Sequence, residues 1–77
     1  MEDHYRGLLE LIGEDPTRDG LLRTPGRAAR AMEFLTQGYR QSIEEIVNNA
    51  IFDSEASEII LVKDIELYSM CEHHLLP

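Results

Sequence analysis

The stretch EIILVKDIELYSM, residues 58–70, changes the periodicity of the chain and decides the predicted fold. It is rich in Ile, Val, Leu and Tyr, and its apolar residues alternate, which is typical of a β-strand. Ile60 and Val62 share one face, and Ile65 and Leu67 continue the apolar alternation on odd numbers. That shift predicts a bulge or a tight turn at Lys63–Asp64. Because a single strand leaves its backbone edges unpaired, we expect this one to need a partner.

A short amphipathic helix is predicted before this strand, near the N-terminus, because apolar residues recur there with helical spacing. The apolar residues are Tyr5, Leu8, Leu9 and Ile12. Gly13 follows them as the expected C-terminal stop. The Asp15–Pro16 step disfavours helix and begins a loop that Gly20 closes.

A second helix is predicted in TPGRAARAMEFLTQGY, residues 24–39. Thr24 is the expected N-cap, and Pro25 is expected at the first helical position, where its missing N–H costs nothing. The predicted apolar face comprises Ala31, Phe34, Leu35 and Gly38. Another face carries Arg23, Arg27 and Arg30.

Arg27 and Arg30 lie one helical turn apart in a chain whose net charge is -8. Two guanidinium groups at that spacing can hold phosphate oxygens through charge-assisted, bidentate hydrogen bonds. The alternative is a solvated helix face whose arginines form surface ion pairs with Glu33 or other acids. The spacing alone favours the alternative.

A third helix is predicted in SIEEIVNNA, residues 42–50, where Ser42 and Glu45 form the S-x-x-E pattern of a capping box. The predicted order is therefore three helices and then one strand, which gives an α+β fold class. We divide the chain into an N-terminal helical region over residues 1–52 and a strand-bearing region over residues 53–77.

Length and composition limit the possible functions. Seventy-seven residues form at most one small domain. The acidic balance argues against general nucleic-acid binding, and one cysteine excludes an intramolecular disulfide. The N-terminal segment MEDHYRGLLE lacks the features of a signal peptide, and no apolar run approaches the ~20 residues that span a bilayer. We therefore expect a cytoplasmic protein.

The only cysteine and two of the three histidines fall within YSMCEHHLLP, residues 68–77. Cys71 and His74 are separated by two residues, so a turn or tight loop can bring both side chains to one Zn²⁺ ion. His73 then points elsewhere and can carry protons near neutral pH. A catalytic zinc requires three protein ligands, and the spacing of the residues identifies no third ligand. The alternative is a small buried cysteine beside two surface histidines.

Residues 62–77, VKDIELYSMCEHHLLP, resemble the signature of GTP cyclohydrolase I, in which a strand leads into S-x-C-E-H-H. Residues 8–39, LLELIGEDPTRDGLLRTPGRAARAMEFLTQGY, resemble the N-terminal helical region of that family, with its G-L-x-x-T-P-x-R-x-A core. The resemblance implies the tunnelling fold, an antiparallel sheet with helices packed on it, of which this chain carries the helices and the first strand. It also implies a toroidal homodecamer.

The resemblance further implies zinc-dependent hydrolysis of GTP to formate and 7,8-dihydroneopterin triphosphate, at the start of folate and pterin biosynthesis. Cys71 and His74 would be two of the zinc ligands, and His73 would be the acid/base histidine. Arg27 and Arg30 would contact the triphosphate in a neighbouring subunit's site. Position 30 is often lysine in the family, and arginine keeps the charge.

The family's third zinc ligand, a cysteine, and its guanine-binding glutamate belong to later segments, and this chain has no second cysteine. We therefore expect these 77 residues to be the N-terminal portion of the enzyme and to be inactive alone. One alternative is a non-catalytic truncated paralogue or interaction protein that docks on full-length subunits. Another is a small structural zinc module.

Overall fold

The computed structural model describes all of residues 1–77 and divides them into two compact units, residues 1–37 and residues 38–77. The helices are α1 (Glu2–Leu11), α2 (Thr24–Leu35) and α3 (Ile43–Val47), with a 3₁₀ turn at Gln37–Arg40. None of these helices has the length and apolar character needed to cross a membrane. The predicted boundary at residue 52 stays a prediction.

The first unit is held together by the packing of α1 on α2. Pro25 is fully buried and Ala29, one turn further along α2, is 7% exposed. On α1 the half-buried residues include Tyr5 and Leu9. The best-buried side chains of α2 are therefore compact ones, in the helix that packs on α1.

The predicted apolar face of α2 is wrong. Phe34 is 68% exposed, and Ala31 and Leu35 are exposed as well. A helix with one neighbour buries only the stripe that faces that neighbour. Here the stripe consists of Pro25, Ala29 and the half-buried Met32, so the large apolar residues at the end of α2 remain uncovered in this chain.

Gly13 ends α1 as predicted. Its backbone has φ +88°, in the left-handed region, and its N–H donates to the Glu10 carbonyl oxygen at 3.0 Å. The Glu14 N–H donates to the Leu9 carbonyl oxygen at 2.9 Å. These two bonds form a Schellman motif with glycine at the left-handed position, where other residues are strained.

The loop after α1 is organised by the carboxylate of Asp15. It accepts hydrogen bonds from the backbone N–H of Thr17 at 2.9 Å and from the Thr17 hydroxyl at 2.6 Å. The Thr17 hydroxyl bond is the largest cause that lowers the pKa of Asp15 below its ordinary 3.8, followed by the Thr17 N–H bond. The adjacent Pro16 is buried, so this turn also contributes to the small core.

The start of α2 differs from the prediction by one residue. Thr24 is the first helical residue instead of the N-cap, and Arg23 holds the cap position without a side-chain cap bond. The Thr24 N–H already donates to the Leu21 carbonyl oxygen at 2.9 Å. The preceding turn therefore supplies an acceptor for one N–H group at the start of the helix, a role that a capping side chain would otherwise have.

In the second unit, the capping box of α3 is confirmed. The Glu45 N–H donates to Ser42 Oγ at 3.2 Å, and the Ser42 N–H donates to Glu45 Oε2 at 3.4 Å. The helix ends after five residues because Asn48 and Asn49 both adopt left-handed backbone, with φ 47° and 59°. Asparagine tolerates that conformation better than most residues.

The predicted strand over residues 59–69 is not formed, so the sheet part of the α+β prediction is not seen and the chain is helical. A strand exists only as part of a hydrogen-bonded ladder, and no segment of this chain pairs with residues 59–69. The predicted break has a structural counterpart, because Asp64 has φ 56°, in the left-handed region. Ile59 is 96% exposed, as expected of an unpaired segment.

Replacing Gly13 by alanine should destabilise the first unit, because alanine at φ +88° is strained. We expect a loss of about 1 kcal/mol in the free energy of unfolding. Gly7→Ala is the matched control, since Gly7 lies inside α1 and nothing lies within 4 Å of an added Cβ. That change should stabilise the unit by about 0.5–1 kcal/mol. Thermal unfolding followed by circular dichroism measures both, and equal shifts would contradict the role given to Gly13.

The stability contribution of Asp15 should depend on pH in the acidic range. Because its pKa is lowered on folding, the contribution is present above 3.8 and is lost as the pH falls through the lower folded-state pKa. Thr17→Val removes the hydroxyl donor and should raise the Asp15 pKa towards 3.8, whereas Thr17→Ser should keep it low. NMR titration of the Asp15 carboxyl tests this, and identical pKa values in the two variants would refute it.

Candidate functional site

Cys71 and His74 are brought together by a closed turn. The Leu75 N–H donates to the Cys71 carbonyl oxygen at 2.9 Å, and the Cys71 N–H donates to the Leu76 carbonyl oxygen at 2.8 Å. Leu75 has φ 52°, which reverses the chain after the turn. Both hydrogen bonds are local, so this turn needs no partner strand to form.

The sulfur of Cys71 lies 3.9 Å from Nδ1 of His74. Zinc bonds of ~2.3 Å to sulfur and ~2.0–2.1 Å to nitrogen place two tetrahedral ligands about 3.6 Å apart. The observed separation is therefore within a few tenths of an ångström of what one ion requires. The thiol of Cys71 is free and exposed, which contradicts the alternative interpretation of a small buried cysteine.

His73 lies outside this donor pair. Its ring centroid is 6.2 Å from that of His74, with the rings tilted by 38°, and its side chain is exposed. No group of three or more Cys, His, Asp or Glu side chains in the chain could hold a metal ion. The residues present therefore fit two coordination positions of a zinc ion and leave one histidine beside them.

The predicted anion-binding residues lie in the first unit, on α2. Arg27 and Arg30 are both exposed. Arg30 borders a cleft of about 290 Å³, which Arg27 does not line. The cleft is lined by Glu2, Leu22, Arg23, Gly26 and Arg30.

Two of these lining residues extend the sequence prediction. Arg23 is on the predicted basic face, but only the shorter spacing of Arg27 and Arg30 pointed to an anion site. The seven-residue spacing of Arg23 and Arg30, two helical turns, was the available signal. No sequence pattern indicated that Glu2 lies near these arginines, because it reaches the cleft through the packing of α1 on α2.

A second hollow, of about 350 Å³, lies in the other unit on α3. Its lining comprises Ile43, Glu44, Val47, Asn49 and Ile51. It contains none of the predicted site residues. The candidate site residues therefore form two separate sets, the turn around Cys71 in the second unit and the basic face of α2 in the first.

Comparison with known proteins relates the whole chain to one family. The family model for GTP cyclohydrolase I matches residues 1–77. The chain is 64% identical over its full length to GTP cyclohydrolase 1 of Pseudoalteromonas translucida, 62% identical to GTP cyclohydrolase 1 2 of Pseudomonas aeruginosa, and 57% identical to GTP cyclohydrolase 1 of Campylobacter jejuni. It spans 42%, 42% and 40% of these relatives, respectively.

The donor pair should bind a soft divalent ion in this chain. We expect Co²⁺, used as a spectroscopic probe for zinc, to give thiolate charge-transfer absorption that Zn²⁺ competes away. Cys71→Ser should abolish that absorption, and His74→Ala should lower the affinity by at least about tenfold, since even groups behind the ligands contribute roughly 10–100-fold. His73→Ala is the matched control and should bind like the parent. An equal loss in both histidine variants would contradict the pairing.

Proposed function

The chain belongs to the GTP cyclohydrolase I family, and from that premise we propose that its residues form part of the active site of an enzyme that hydrolyses GTP to formate and 7,8-dihydroneopterin triphosphate. The chain spans 42% of the length of its Pseudoalteromonas relative, so the site we propose includes groups beyond those described above. One observation carries the proposal most directly, the approach of Cys71 Sγ and His74 Nδ1 to 3.9 Å in a closed turn.

Cys71 and His74 supply two ligands of a zinc ion, and a third ligand comes from another segment. Zinc, when bound there, supplies a Lewis acid that polarises an oxygen or lowers the pKa of a water molecule. The thiolate of Cys71 and the neutral imidazole of His74 are the ligand forms that bind this metal. The turn holds their backbones together, which reduces the entropy lost when they bind one ion.

His73 transfers protons in this proposal. Formate takes one carbon out of the five-membered ring of guanine, so two carbon–nitrogen bonds must break and each departing nitrogen must gain a proton. Histidine is the side chain best suited to both donate and accept protons near neutral pH. His73 follows a zinc ligand in the chain and lies outside the donor pair, so it can act beside the metal without binding it.

Arg27 and Arg30 bind the triphosphate of the substrate. Both guanidinium groups are exposed on α2, and they belong to a locally basic part of an otherwise acidic chain. Arginine remains protonated at all physiological pH values and offers paired N–H donors to phosphate oxygens. In the decamer implied by the family resemblance, these residues serve a neighbouring subunit's site, so the enzyme acts as a homo-oligomer.

A second candidate function is docking on full-length subunits without catalysis. The exposed apolar segment favours it, because residues such as Ile59 and Leu67 are 96% and 88% exposed and no ladder pairs their backbone. An extended segment of this kind can add a strand to an exposed sheet edge of another chain. Co-purification with a full-length subunit, without any gain in its turnover, would support this candidate over the first.

The roles of the two adjacent histidines should separate in a chimera. We would replace the aligned 77 residues of the Pseudoalteromonas relative with this chain and measure formate release and bound zinc together. His74→Ala should lose zinc and activity together, because it removes a ligand. His73→Ala should keep its zinc and lose roughly 10²–10⁴-fold in turnover, the usual effect of removing a general acid or base.

The parent chimera is the control for folding and assembly. If it releases formate and His73→Ala loses zinc as completely as His74→Ala does, the division of roles is wrong. If the parent chimera binds zinc but releases no formate, the proposed activity of this chain fails, and the docking function gains support.

A further inference from the structure

The cleft beside α2 offers two cationic groups without bonded counter-ions. Neither Arg23 nor Arg30 forms a side-chain ion pair or hydrogen bond in this structure. Both line the same cleft of about 290 Å³, whereas Arg27 does not. Unpaired guanidinium groups that share a concave surface are suited to bind an anion with several oxygens.

We propose that this cleft is a subsite for the phosphate groups of the nucleotide, in which Arg23 binds phosphate oxygens together with Arg30. The proposal rests on the proposed function, because it extends the phosphate contact that we assign there to Arg30. Arg23 holds the cap position of α2, and Arg30 lies about two turns further along, so their side chains project from nearly the same line along the helix. Arg23 is therefore a further substrate-binding residue, beside the phosphate contacts assigned above to Arg27 and Arg30.

Gly26, which has no side chain, lines this cleft at a position between the two arginines in the sequence. A Cβ at that position would stand 3.4 Å from Glu2 Oε2 and 3.5 Å from Arg30 Nη1, so a side chain there would occupy space that glycine leaves open. The first turn of the 12-residue helix α2 contains no acidic residue. The positive end of the helix dipole therefore adds to the field of the two guanidinium groups.

Glu2 is the only acidic side chain in the lining of the cleft. Its carboxylate lies over Gly26, on the same side as the guanidinium of Arg30. A carboxylate repels a phosphate at short range and competes with it for the same donors. Glu2 thus acts as the internal counter-charge that an arriving phosphate displaces, and it lowers the affinity of the empty cleft for anions.

Calorimetric titration of residues 1–77 with inorganic triphosphate tests the subsite. We expect Arg23→Ala and Arg30→Ala each to weaken binding roughly two- to fivefold, as for other partly solvated ion pairs. Glu2→Gln should strengthen binding by a similar factor. Asp3→Asn is its matched control, because Asp3 is an exposed acid next in sequence that does not line the cleft, and it should have a smaller effect.

Gly26→Ala provides a test that leaves every charge in place. Alanine favours helix over glycine, so circular dichroism should show α2 intact. The added methyl group fills the floor of the cleft, and triphosphate binding should weaken. Unchanged binding by a folded Gly26→Ala variant would overturn the placement of phosphate in this cleft.

The arginine variants separate this inference from the proposed function. If Arg27→Ala and Arg30→Ala weaken binding while Arg23→Ala does not, the subsite is wrong and the phosphate contacts of Arg27 and Arg30 stand. If the parent chain does not bind triphosphate, this subsite is overturned, while the zinc and proton-transfer roles around Cys71 remain to be judged by the chimera. Equal effects of Glu2→Gln and Asp3→Asn would overturn the role of Glu2.

Discussion

The packing of α1 on α2, the helix in which Pro25 and Ala29 are buried, is the interaction on which the first unit depends. These residues are the best-buried part of α2, and they determine which side of that helix faces its neighbour. Once that side is fixed, Gly26 and Arg30 fall at the edge of the helix pair, where Glu2 approaches from α1. The packing of the two helices thus determines where the basic side chains of α2 meet the rest of the unit.

The second unit depends on a different constraint, the pairing of backbone groups. Residues 59–69 have the composition of a strand but no ladder, and their apolar side chains remain exposed. The turn from Cys71 to Leu76 satisfies two of its own backbone N–H groups locally. Consequently the geometry of the candidate metal ligands does not depend on the sheet that the sequence predicts.

Local features were predictable from the sequence, because their partners lie within a few residues. The Gly13 stop and the Ser42–Glu45 capping box are of this kind, and both are present. The left-handed Asp64 lies where the periodicity of the apolar residues shifts. The proximity of Cys71 to His74 likewise follows from a spacing of three residues and a turn.

Features that depend on distant partners were not predictable in the same way. The strand failed because its ladder requires another segment, and the apolar face of α2 failed because Phe34 has no neighbour in this chain to cover it. Glu2 joins the cleft beside Arg30 only through helix packing, about which residue spacing along one helix carries no information.

We infer that the turn around Cys71 presents one sulfur and one imidazole nitrogen to the same ion. X-ray absorption spectroscopy of the zinc-loaded 77-residue chain measures these ligands. We expect one sulfur at ~2.3 Å and one imidazole nitrogen at ~2.0–2.1 Å, with lighter atoms completing the shell. A shell that contains two imidazoles and no sulfur would contradict it.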